Sequence, residues 1–96
     1  MNLNELSKLA HSIAKEKGFW DKSRKIPEVL MLIVTEVAEA CQADRKDDYD
    51  KFKEELADIY IRLFDLCGYL EIDIEEEIKK KMETNKNRPR LHNRKY

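Results

Sequence analysis

Apolar residues recur along this chain at helical spacing, in stretches separated by polar breaks. Leu6, Leu9, Ala10, Ile13 and Ala14 follow an i, i+3, i+4, i+7, i+8 stripe, which predicts a first helix from about Asn4 to Lys17. Asn2 or Asn4 can cap its start, and Gly18 can end it in the left-handed conformation. A loop from Phe19 to Ile26 follows, holding Trp20 and the basic residues Lys22, Arg24 and Lys25. Pro27 suits the first turn of a second helix that runs to about Asp44. The first half of that helix is apolar all round, which places it centrally or at a subunit contact. Arg45 to Asp48 make a polar turn. A third helix is predicted from about Tyr49 to Tyr69, with Phe52, Leu56, Ile59, Leu63 and Leu66 as its main stripe and Gly68 weakening its end. Asp73 caps a fourth helix, and Glu76 three residues on completes a capping box. Ile74, Ile78 and Met82 form its stripe, and Pro89 stops or kinks it. No strand pattern and no repeat interrupts this series, so the expected fold is all-α, an antiparallel four-helix bundle.

Composition narrows the class. The chain has 96 residues, enough for one domain spanning 1–96. Charged residues make up 41% and hydrophobic ones 42%, with only two Gly and two Pro, a mix that excludes disorder. Net charge is −1, yet Lys86, Arg88, Arg90, Arg94 and Lys95 come without an acid among them. A basic tail over about 89–96 is therefore expected. No groove-reading motif accompanies it, so nucleic acid is not the expected partner. Met1–Gly18 carries charges throughout and does not read as a signal peptide. The longest uninterrupted apolar run, Val29–Val34, is too short for a bilayer, which takes about 20 residues. No membrane partner and a cytoplasmic location follow as expectations. Cys41 and Cys67 lie in apolar helical stretches and are expected to be buried free thiols.

The chemistry centres on acids inside the most apolar segments. Glu36 and Glu39 interrupt Val29–Cys41, whose only other polar residue is Thr35. Glu55 and Asp58 open the second such segment, which runs to Phe64. Each pair has i, i+3 spacing and shares a helix face. Carboxylates are rarely buried without a partner. If the two helices face each other, each like-charge pair at about 4 Å costs about 4 kcal/mol at an effective dielectric near 20. Protonation or a cation must relieve that cost. Ordinary ion pairs on solvated faces are the plainer alternative. Oxygen-only ligands select a hard cation, Mg²⁺ or Mn²⁺. A di-iron carboxylate site would need Glu-x-x-His pairs. Neither His11 nor His92 follows a Glu by three residues.

Lys81, Asn85 and Arg88 share one face of the fourth helix at i, i+4, i+7 spacing. Such side chains suit phosphate oxygens, although basic residues near a helix C-terminus are also favoured by its dipole. Trp20, the single tryptophan, can stack on a base or serve as a packing anchor.

The acidic words TEVAEA, with Glu36-x-x-Glu39, and EELADIYIRL, with Glu55-x-x-Asp58, resemble the two acidic motifs of the MazG-like nucleotide pyrophosphohydrolases. KMETNKNRPRLH, with Lys81, Asn85 and Arg88, is similar to their C-terminal segment. These all-α enzymes share a superfamily with the dimeric dUTPases and phosphoribosyl-ATP pyrophosphohydrolase. The resemblance implies a MazG fold completed by oligomerisation, as a homodimer or homotetramer. It implies hydrolysis of (deoxy)nucleoside triphosphates to the monophosphate and pyrophosphate, as a house-cleaning activity. Glu36, Glu39, Glu55 and Asp58 would hold Mg²⁺, and Lys81, Asn85 and Arg88 would contact phosphates. Glu39 and Lys81 would be the catalytic pair, and Trp20 would meet the base. The competing expectation is a non-catalytic helical interaction module that keeps the fold.

Overall fold

The computed structural model describes residues 1–90 and is all-helical over them. Leu91 to Tyr96, most of the expected basic tail, lie outside the described residues. Four helices follow in order: α1 (Leu3–Glu16), α2 (Ile26–Arg45), α3 (Tyr49–Tyr69) and α4 (Ile74–Lys86).

Local chemistry fixes the boundaries. Asn2 caps α1 in a capping box: its side chain accepts the Glu5 N–H, and the Glu5 carboxylate accepts the Asn2 N–H. Gly18, just past the end of α1, takes φ +92, the left-handed geometry that glycine adopts without steric cost. Pro27 lies in the first turn of α2. Asp48 caps α3 by accepting the Lys51 N–H, and Asp73 caps α4 by accepting the Glu76 N–H. Asn4 joins two helices instead of capping its own. Its amide donates to Asp73 at 2.8 Å, and its carbonyl oxygen accepts the Glu75 N–H at 3.2 Å.

The central helix is α3. Both α1 and α2 pack along it, and α4 packs on α1. Of the two places expected for the apolar half of α2, the central one is thus taken by α3. One side of α2, with Val29 and Ile33, meets Leu66 of α3, while Leu30, Met31, Val34 and Val37 remain exposed. Phe19, Trp20, Ile26 and Ile59 close over the Val29–Ile33–Leu66 cluster.

The contact of α1 with α3 is close and partly polar. Ser7 donates to the Phe64 carbonyl at 2.6 Å. Gly68 sits inside α3, where a Cβ would stand 2.7 Å from both the Ser7 carbonyl oxygen and His11 Cβ. It stands one residue before the end of α3 and also permits the close approach of α1. Asp65, 6% exposed, accepts from His11 Nδ1 and Trp20 Nε1, each at 2.9 Å. Trp20 stacks on Tyr69 with ring centroids 3.9 Å apart. This network locks the α1–α2 loop onto α3.

Cys41 is exposed, against the expectation that both thiols are buried; Cys67 is half-buried, and both are free. Burial pushes the Cys67 thiol up from its ordinary value. Among the described residues no helix is long and apolar enough to cross a membrane.

Candidate metal centre

Antiparallel α2 and α3 bring Glu36, Glu39 and Glu55 together. One carboxylate oxygen from each lies within 4.8 Å of the others. Glu55 is 2% exposed and is the largest fully buried side chain of the described residues; Glu36 is 9% exposed, and Glu39 is open to solvent.

Two cations compensate the cluster from its edges. Arg62 Nε donates to Glu36 Oε1 at 2.9 Å. Lys51 Nζ stands 3.1 Å from Glu55 Oε1. Glu55 Oε2 has no such relief: it is the one buried side-chain polar atom of the described residues without a hydrogen-bond partner. An unmet buried carboxylate oxygen leaves its lost hydration uncompensated. Its position among carboxylate oxygens is suited to a cation, and an all-oxygen donor set matches a hard divalent one.

Protonation reports the same crowding. The Glu55 carboxylate, to which a protonated Glu39 would donate, and then the charge of Glu36 hold the Glu39 carboxyl above its usual range. The Lys51 ammonium holds Glu55 below it. The two shifts act in opposite windows around the ordinary Glu value of about 4.3. Glu55 contributes stability above that value, lost as pH falls through its lowered pKa. Glu39 contributes stability below it, lost as pH rises through its raised pKa. Metal-free protein should therefore lose stability on raising the pH through the Glu39 titration, and Mg²⁺ should abolish that loss. Thermal unfolding across pH, wild type against Glu39→Gln, checks it: the variant should lack the upper limb.

Asp58 does not join the three-carboxylate cluster. It is exposed and lines a second cleft, between α1 and α3, with Glu36, Arg62 and Asp65 and the apolar Leu6, Leu9 and Ile13. Lys81 and Asn85 are exposed on α4, but Arg88 falls past its end at Lys86, so the three do not share one helix face as expected, and none lines either cleft at the acids. Trp20 is held by Tyr69 and Asp65, contacts that belong to a packing anchor.

Sequence reasoning missed Arg62, Lys51 and Asp65. Arg62 and Asp65 are lone charges within apolar stretches of α3, the same signal that marked the glutamates. Lys51 precedes Glu55 by four residues, a spacing that pairs charges on a helix.

Fold and site together define an all-α protein with a cluster of three carboxylates whose oxygens could hold a metal ion. The chain belongs to the MazG-like family, whose sequence profile matches residues 22–96. Among curated proteins and among solved structures, nothing matches it.

Proposed function

We propose that this chain is a nucleoside triphosphate pyrophosphohydrolase, cleaving between the α and β phosphates of (deoxy)nucleotides with Mg²⁺ or Mn²⁺. The observation that carries the reading is the partnerless, buried Glu55 Oε2 inside a three-carboxylate cluster of a MazG-like chain. A helical interaction module has no physical need for that unrelieved oxygen.

Glu36, Glu39 and Glu55 would hold the divalent cation; Asp58, three residues beyond Glu55, lines the neighbouring cleft instead. When bound, the cation supplies charge stabilisation to phosphoryl oxygens and acidifies a water. Glu39 is the member suited to take the proton of the attacking water. It is solvent-accessible, and its neighbours raise its proton affinity. Arg62 keeps Glu36 in place from the α3 side.

Lys81 and Asn85 on α4, with Arg88 just past its end, would serve the phosphates from a second copy in a homodimer or homotetramer. Unpartnered apolar stripes support such an assembly: Leu30, Val34 and Val37 on α2, and Leu56, Tyr60 and Leu63 on α3.

The test is pyrophosphate release from a panel of NTPs and dNTPs with Mg²⁺. Glu39→Gln should lower kcat by about 10²–10⁴, the usual worth of a general base, with helicity retained. Failure to hydrolyse any nucleotide with any divalent metal defeats the reading.

A further inference from the structure

The cleft that opens from the carboxylate cluster is not acidic throughout. It has a volume of about 460 Å³, within the range of small-molecule sites. Glu39 and Glu55 form one end, and Gln42, Ala43, Lys46, Asp48 and Lys51 continue it toward the α2–α3 turn. Lys46 is the C-cap of α2, and Lys51 lies in the first turns of α3. Two ammonium groups thus share one concavity with the carboxylates. A ligand matching this lining carries its own divalent cation for the acids and anionic oxygens for the lysines.

The Lys51 contact carries the argument further. Its ammonium lies 3.1 Å from Glu55 Oε1, on the carboxylate whose other oxygen has no partner. Lys51 therefore partly fills the electrostatic role of a cation in the metal-free site. A divalent ion on Glu55 would repel it at this range. The Lys51 side chain is half-exposed, and its four-carbon stem leaves it free to move within the cleft.

We propose that Lys51, with Lys46, forms a phosphate-contacting pair contributed by the same subunit as the acids. In the metal-free protein Lys51 is the resident counter-ion of Glu55. Metal binding releases it toward the pyrophosphate half of the ligand. This rests on the metal-centre reading above and assigns two residues which that reading leaves unused.

Calorimetric titration of wild type and Lys51→Gln, first with Mn²⁺ alone and then with inorganic pyrophosphate on the Mn²⁺-loaded protein, tests it. Circular dichroism confirms that helicity is kept. Lys51→Gln should bind Mn²⁺ severalfold more tightly, because the competing ammonium is gone. The same variant should bind pyrophosphate about tenfold or more weakly, the scale of one charge-assisted hydrogen bond. Lys46→Gln should show the second effect without the first. A merely structural lysine would not move the two affinities in opposite directions. Mn²⁺ binding with pyrophosphate affinity unchanged in both variants overturns this proposal and leaves the metal centre standing. Absence of Mn²⁺ binding by wild type overturns both.

Discussion

Glu55→Gln is expected to remove divalent-metal binding and pyrophosphate release together. The substitution is nearly isosteric, so α3 keeps its length and Lys51 keeps an oxygen acceptor. What goes is the negative charge on the most buried of the three carboxylates. A neutral amide oxygen there is a weak ligand, and Glu36 and Glu39 alone form an open, poorly enclosing pair. In wild type, Mg²⁺ at about 100 times its dissociation constant should add about 2.7 kcal/mol to stability by mass action. For a domain of this size each kcal/mol shifts the melting temperature by about 4–8 °C. Glu55→Gln should show no such shift. Thermal unfolding with and without Mg²⁺ therefore reads the loss of the site separately from the loss of activity.

Gly68→Ala is expected to destabilise the protein, although alanine is the better helix former. In an exposed helix the exchange would gain about 1 kcal/mol. Here the new Cβ meets the Ser7 carbonyl and His11 Cβ at 2.7 Å. Carbonyl and Cβ both belong to the α1 framework, so α1 must move away as a body. Overpacking of this kind costs about 1–3 kcal/mol. The shift also strains the Ser7–Phe64 hydrogen bond and the His11–Asp65 contact on the same helix pair. A lowered melting temperature is the predicted result, and Gly68→Val should lower it further. A raised melting temperature for Gly68→Ala would mean that the two helices are not in close contact.

That sign reversal shows where sequence reading reaches its limit. The Tyr49–Tyr69 helix was legible near both ends, because the polar Arg45–Asp48 turn, a long apolar stripe and Gly68 are local signals. The stop of α1 at Gly18 was equally local. Gly68 read as a weak helix end, and it does stand next to the end of α3; its further role depends on Ser7 and His11, far back in the chain on α1. The site divides in the same way. Glu36, Glu39 and Glu55 were legible as carboxylates within apolar runs. Asp58 shared the pattern, yet three residues advance a helix by about 300°, not a full turn. Glu55 consequently faces α2, while Asp58 lines the cleft toward α1. Lys81, Asn85 and Arg88 formed a face in the sequence, but periodicity does not say which helix α4 packs against. It packs on α1. Lys51 and Arg62, the cations that do meet the acids, were overshadowed by the more conspicuous basic segment.

The central claim is metal-assisted attack of water at the α-phosphorus. Hydrolysis of a responsive nucleotide in ¹⁸O-labelled water with Mg²⁺, followed by mass analysis of both products, tests it most directly. The account predicts the label in the nucleoside monophosphate and none in the pyrophosphate. Label in the pyrophosphate, or release of orthophosphate in its place, would contradict it.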